Sequence, residues 1–373
     1  MPYRRLLPAA ACARCDHHAA GPTACAADPR VMKDIRAAIA RERVLSTADA
    51  RLARRMGLLP IPQLGRTGFN DGVVYPPHDV PTDRPQRPGR VGTAALRPSA
   101  RAAALRNTGA MNCLVLLVDF SDNPGKAPAQ HFEQLLFDRG NPNSMASLYH
   151  ELSYGSLDVR GSVVGWLRAP QPYAYYTAGE SGTGDNFPHN TPGLLHDMLA
   201  QYTAQHSLAP FDLNGDGFID GLFIVHAGSG AEAEPDAERR RHKIWSHKWT
   251  LPAPFVDHGV KAYAYFTAPE DGRLGVFAHE FGHFLGLPDL YDTSYRSQGI
   301  GDWCLMASGS WNGGGDVPAR LSAWCLATLG WIRPTTVGAA ATLTLDTLAN
   351  DRSACWRLWS GGRAGPEYFL IEN

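Results

Sequence analysis

The sequence predicts an α/β fold built on a mixed sheet, and three observations carry that expectation. Apolar runs of strand length, "CLVLLVDF" (Cys113–Phe120) and "GLFIVHAG" (Gly221–Gly228), alternate from Asn112 onward with segments of helical periodicity. No internal repeat interrupts that alternation, which sets solenoids and propellers aside. With 373 residues, 38 Gly and 28 Pro but only 19% charged residues, the chain is loop-rich yet has ample core. The 35 basic and 36 acidic residues balance, so nothing suggests a nucleic-acid or anionic-membrane partner. No apolar run reaches the roughly 18 residues that a membrane helix requires.

The elements follow in chain order. The stretch "VMKDIRAAIARERVLSTADARLARRMGLLP" (Val31–Pro60) has helical periodicity, and "PPHDVPTDRPQRPGR" (Pro76–Arg90) reads as an extended linker within a proline-rich tract of about 76–100. The first strand is "CLVLLVDF". A helix is expected from about Pro128, and another over Asn143–Leu152 with Asn143 or Ser144 as its cap. "SLDVRGSVVGWLRA" alternates like a strand pair, and "TPGLLHDMLAQYTAQ" opens a helix with proline in its first turn. "GLFIVHAG" is a second central strand, and "KAYAYFTA" (Lys261–Ala268) alternates as an edge strand would.

The segment "HEFGHFLGLPD" (His279–Asp289) carries the chemistry. Between Val276 and Leu285 only Gly282 disfavours a helix. At about 100° per residue, His279 and His283 lie about 40° apart around the axis, so both imidazoles reach one ion. Zinc suits two neutral imidazoles plus a third N or O ligand, with a fourth position for water. Glu280 is poised as a general base toward that water. Gly286 is placed to end the helix in left-handed geometry, and Pro288 prevents its continuation. Asp289 is then free to fold back as a third ligand.

The pattern HExxHxxGxxD resembles the metzincins in their aspartate form, and "GIGDWCLMASGSW" places Met306 seventeen residues past Asp289, where a metzincin Met-turn falls. Further segments resemble the immune inhibitor A family of secreted metalloproteases, peptidase family M6. They are "LVLLVDFSD", "LYHELSYGSLDVRGSVVGW", "DLNGDGFIDGLFIVHAGSGAE", "IWSHKW", "VFAHEFGHFLGLPDLYD" and "PARLSAWCLATLGWI", all between Asn112 and Asn373. The resemblance implies a metzincin-like zinc protease domain with a mixed twisted sheet, an active-site helix and a Met-turn, over residues 110–373. It implies His279 and His283 as zinc ligands, Glu280 as the catalytic glutamate and Asp289 as third ligand. Glu372, in the closing "YFLIEN", is the competing acidic ligand, with a strand-end carboxylate as its plainer reading. Met306 would floor the site without binding metal. No tyrosine follows closely to stabilise an oxyanion, which leaves Tyr291, His247, Tyr295 or the zinc alone.

Residues 1–109 are by position and resemblance a helical and extended pro-segment, an inhibitor of the enzyme it precedes. Asp71, on the glycine-flanked turn "GFNDG", is its candidate latency residue, with a solvent-facing turn as the alternative. Cys12, Cys15 and Cys25 offer a weaker thiolate switch or a structural zinc for which a second ligand pair is missing; the seven cysteines define no disulfide framework. Secretion follows from the resemblance, since "MPYRRLLPAAACARC" is too short and proline-broken for a signal peptide. A second cation is expected in "DLNGDGFID", where Asp212, Asn214, Asp216 and Asp220 stand at positions 1, 3, 5 and 9 of a calcium loop. Phe223 replaces the usual bidentate glutamate at its twelfth position. Asp119, Asp122, Glu232 or Glu234 are candidates to complete it, and an Asx-rich turn satisfying its own backbone is the competing account. The expected activity is zinc-dependent endopeptidase action on protein or peptide substrates. Two alternatives stand beside it: a non-catalytic, metal-stabilised surface module, and a zinc hydrolase acting on a non-protein amide.

Overall fold

The computed structural model describes residues 26–33, 37, 68–70, 72, 107–292, 297–364 and 367–373. Asp71, Tyr295, Cys12, Cys15, Cys25 and the proline-rich linker lie outside the described residues. The expected helix after Val31 begins slightly earlier, with residues 29–33 and 37 helical.

A five-stranded sheet runs in the order β2-β1-β3-β5-β4. Strands β1 (Gly109–Asp119), β2 (Leu157–Arg168), β3 (Gly221–His226) and β5 (Val260–Pro269) are parallel neighbours, and β4 (His247–Asp257) runs antiparallel along β5. Leu114 through Val118 are fully buried in β1, as a continuous apolar strand with partners on both edges must be. Burial of each such side chain contributes about 1.5–3 kcal/mol.

Helices α1 (Ala129–Leu136) and α2 (Met145–Leu152) return the chain from β1 to β2. Ser144 is the cap of α2, accepting from Ser147 N at 3.1 Å. A short helix α3 (Tyr173–Thr177) precedes α4 (Thr191–Thr203), which has proline in its first turn and Asn190 as its cap. One further turn, α5 (Ala237–Arg240), lies between β3 and β4. Helix α6 (Leu274–Phe284) follows β5 and packs on β5, β4 and the segment Ser308–Gly315. Beyond it, α7 (Ala323–Thr328) leads to a small sheet of β6 (Thr335–Val337), β7 (Trp356–Trp359) and β8 (Tyr368–Ile371).

Two expectations are corrected. "SLDVRGSVVGWLRA" forms the single strand β2; Gly161, which resembles a turn residue, makes room for the Phe137 ring packed over it. The expected edge strand "KAYAYFTA" is β5, an inner strand, because β4 pairs outside it. Pro252 and Pro254 make β4 look like a loop in sequence. They sit where its pairing with β5 shifts register between Thr250 and Phe255, an irregularity an edge strand tolerates.

Candidate metal centre

Helix α6 ends in two reversed bonds, Gly286 N to His283 O and Leu287 N to Gly282 O, each 3.0 Å. With Gly286 at φ 100°, this is a Schellman stop, and it turns the chain back on the helix within one residue. Leu287 O then accepts from His283 Nδ1 at 2.8 Å, and Leu305 O accepts from His279 Nδ1 at 2.8 Å. A carbonyl only accepts, so both rings carry their proton on Nδ1 and turn the Nε2 lone pair toward the same point.

Asp289 meets them there. Its Oδ1 lies 3.2 Å from His279 Nε2 and 3.1 Å from His283 Nε2, and the two Nε2 atoms are 3.1 Å apart. Both histidines are fully buried and the Asp289 side chain is 2% exposed. Burial pushes the Asp289 carboxyl up, but the two imidazoles, His283 foremost, outweigh it and the net direction is down. Three lone-pair donors packed this closely repel one another unless a cation or an added proton lies between them. Ligands at zinc distances on a tetrahedron would stand about 3.3 Å apart. The donor set therefore fits a zinc ion. Among the described residues it is the one such group of three or more.

Glu280, between the two ligands in sequence, is wholly buried. Tyr149, from α2, donates to Ala278 O at 2.6 Å and braces the middle of the helix. Met306 is buried against Gly282, where a Cβ would collide with its Sδ, and Met306 O accepts from Leu290 N at 2.7 Å. One turn, Leu305–Met306, thus touches both the helix and the returning segment that carries Asp289.

Other candidates lie elsewhere. Both Glu372 oxygens accept from Ala323 N, at 2.9 and 3.0 Å, so this carboxylate caps α7. His247 is on β4 with Nδ1 2.6 Å from Trp245 O and Nε2 3.2 Å from Tyr265 OH; Tyr291 is buried. In the 212–220 loop, Asp212 accepts from Asp216 N and Gly217 N at 3.0 Å each, Asn214 from Asp216 N at 2.8 Å, and Asp216 from Phe218 N at 2.9 Å. Asp220 accepts from Asn112 N at 2.9 Å and Leu213 N at 3.2 Å. These are the bonds of an Asx-rich turn, and they leave the calcium expectation without support. Asp119 and Asp122 close the opposite end of β1, and Glu232 and Glu234 follow the far end of β3, so none reaches that loop. Asp119 instead pairs with Arg168 at 2.6 Å.

Contacts that the sequence did not announce lie on β4 and beside the segment that carries Asp289. Phe69 is buried against β4, Asn70 N donates to Lys248 O at 3.0 Å, and Lys248 N donates to Asn70 Oδ1 at 2.7 Å. Gly72 lies against Leu287–Pro288, its absent Cβ only 2.9 Å from Pro288 N. The glycines of "TGFNDG" signalled a turn, but its docking place is about 180 residues away in sequence and left no local trace. The buried pair Cys304 and Cys325, sulfurs 3.9 Å apart, was equally illegible.

A parallel sheet with an antiparallel edge is followed by a helix bearing two histidines and a returning aspartate, a donor set fit for one metal ion. The Immune inhibitor A peptidase M6 catalytic-domain description matches residues 105–331, and the chain belongs to that family. It is 34% identical over 286 residues to "Immune inhibitor A" of Bacillus thuringiensis subsp. alesti, covering 63% of this chain and 41% of that protein. It is 35% identical over 265 residues to "Pre-pro-metalloprotease PrtV" of Vibrio cholerae, covering 57% of this chain and 28% of that one. The chain thus matches less than half the length of either relative.

Proposed function

We propose that the protein is a secreted, zinc-dependent endopeptidase held latent by its own N-terminal segment. His279, His283 and Asp289 hold the metal, and Glu280 acts as general base and then general acid. The observation that carries this reading is the convergence of His279 Nε2, His283 Nε2 and Asp289 Oδ1 within 3.2 Å, each imidazole fixed from behind by a carbonyl. Family membership and the word metalloprotease in the name of PrtV support it.

Bound there, zinc supplies Lewis acidity that makes water nucleophilic near neutral pH and polarises the substrate carbonyl. Glu280 receives the water's proton and returns it to the leaving amine. Met306 floors the site, filling the notch that Gly282 leaves in the helix. The edge strand β4 holds the substrate backbone by strand addition.

Latency is supported by where residues 68–70 and 72 lie. They satisfy the edge of β4 and pack beside Pro288, one residue from Asp289. Asn70 has φ 38°, and Gly68 and Gly72 also have positive φ. Backbone with positive φ at Gly68, Asn70 and Gly72 departs from the extended form in which a substrate strand would pair with β4. The prefix "Pre-pro" in the name of PrtV accords with a pro-segment and with export.

A casein zymogram with and without chelator tests the activity after nicking of the linker. The Glu280→Gln protein should retain stoichiometric zinc while its rate falls by about 10²–10⁴. Wild-type cleavage by that variant would remove Glu280 from the chemistry.

A further inference from the structure

The part of β4 that carries Asn70 is built as a side-chain pocket as well as a backbone slot. His247 and Trp249 alternate with Lys248 along the strand and therefore share one face. Phe69, fully buried, sits on that face. Its ring stacks on His247 at 5.1 Å and 19°, and meets Trp249 edge-on at 5.1 Å and 83°. His247 and Trp249 are themselves 5.9 Å apart at 71°. Tyr265, on the neighbouring strand β5, fixes the imidazole from behind through its hydroxyl, 3.2 Å from Nε2. Two aromatic rings on β4, one of them backed by Tyr265 of β5, thus hold one apolar side chain.

Backbone bonding sets the register of this pocket. Lys248 turns both its N–H and its carbonyl outward from the sheet to Asn70. Asn70 meets them with its main-chain N–H and, because φ 38° takes its backbone out of the extended region, with its side-chain oxygen. A substrate strand would offer its own carbonyl in place of that oxygen. The side chain beside the paired residue would then fall where Phe69 lies, since an added strand gains affinity from its backbone and specificity from alternate side chains.

We propose that His247 and Trp249, backed by Tyr265, form a substrate subsite selective for aromatic side chains, which Phe69 occupies in this chain. This rests on the endopeptidase reading above. The subsite places Phe, Tyr or Trp next to the substrate residue that pairs with Lys248, hence at one fixed distance from the scissile bond. Stacked and edge-on ring contacts favour an aromatic guest over an aliphatic one of similar size.

The test digests a proteome-derived peptide library with the 373-residue chain nicked in its linker, and reads the cleavage sites by mass spectrometry. Aromatic residues should be enriched at one position, and Trp249→Ala should flatten that position while leaving the rest of the profile in place. A synthetic peptide of residues 66–73 should inhibit the nicked enzyme, and its Phe69→Ala version should need on the order of tenfold more for the same inhibition. That peptide arm requires no folded variant. Chelator-sensitive cleavage without aromatic enrichment, or equal potency of the two peptides, overturns the subsite and leaves the endopeptidase standing. Absence of any chelator-sensitive cleavage overturns both.

Discussion

The carbonyl of Leu305 accepts a hydrogen bond from Nδ1 of His279 at 2.8 Å, and the next residue, Met306, lies beneath the same helix at Gly282. Met306 O also receives Leu290 N at 2.7 Å, immediately after Asp289. One dipeptide therefore fixes the tautomer of one proposed ligand and the chain direction of another. Met306→Ala should open a cavity and cost about 2–5 kcal/mol in stability. Zinc affinity should fall about 10–100-fold, as for the loss of a group supporting metal ligands. Met306→Leu, which conserves volume, should cost less than about 1.5 kcal/mol. Thermal melts and competitive chelator titration read the two effects separately. A Met306→Ala protein with unaltered zinc affinity would reduce the methionine to a space-filler.

Asn70 is the point at which the N-terminal segment can be loosened without touching the catalytic domain. Asn70→Ala leaves Lys248 N without its side-chain acceptor, at a cost of about 1–3 kcal/mol. That corresponds to roughly 5–150-fold more of the open form. Before nicking, the casein-cleaving rate of the full chain should rise accordingly. After nicking it should equal wild type. An unchanged rate before nicking would mean that the segment is held by other residues.

What the sequence reveals and what it conceals divide along a physical line. The convergence of His279, His283 and Asp289 past the stop at Gly286 was legible because helix period, left-handed stop and returning carboxylate act within eleven residues. The inner strands β1 and β3 were legible because burial on both faces demands continuous apolar runs. Strand β4 was not, since its two prolines break the pattern that marks a strand and only the edge position makes them tolerable. The meeting of Phe69 with His247 and Trp249, like that of Glu372 with Ala323, depends on tertiary closure. The Asp212–Asp220 loop offered a cation site and a self-satisfied turn with equal composition, and only the hydrogen bonds distinguish them.

Glu232 gives stability a pH dependence of definite sign. Burial pushes its carboxyl up, against bonds from Ser246 Oγ at 2.6 Å and Ser246 N at 3.1 Å, and the balance is about 7 against an ordinary 4.5. A raised carboxyl favours the folded state most while protonated. Its contribution is complete below about 4.5 and is lost as pH rises through about 7. The loss is at most about 3 kcal/mol, from 1.36 kcal/mol per unit. Urea unfolding between about pH 5 and 8 should show this fall, and Glu232→Gln should flatten it. A wild-type curve that rises over this range would reverse the assignment.

Cys304 and Cys325 bring a covalent prediction to the same turn. Their sulfurs are 3.9 Å apart and both are buried, so bridging them requires little movement. The bond from the Cys325 thiol, aided by Ser322, pushes the Cys304 thiol down, so Cys304 is the attacking thiolate once local opening exposes the buried pair to the oxidant. With oxidised glutathione, Cys304 attacks the donor disulfide and expels one glutathione thiolate. Cys325 then displaces the second, so two protons and two electrons leave the pair and two glutathione thiols form. The product should be about 2 Da lighter than the dithiol and more stable by roughly 3 kcal/mol, the value for closing a loop of this length. Because Cys304 precedes Leu305 and Met306, the bond would also anchor the turn behind His279 to α7. Reduction should therefore lower both the melting temperature and zinc retention, whereas Cys325→Ala should make both insensitive to the redox state. A reduced protein that melts and holds zinc as the oxidised one does would leave the two sulfurs as ordinary core atoms.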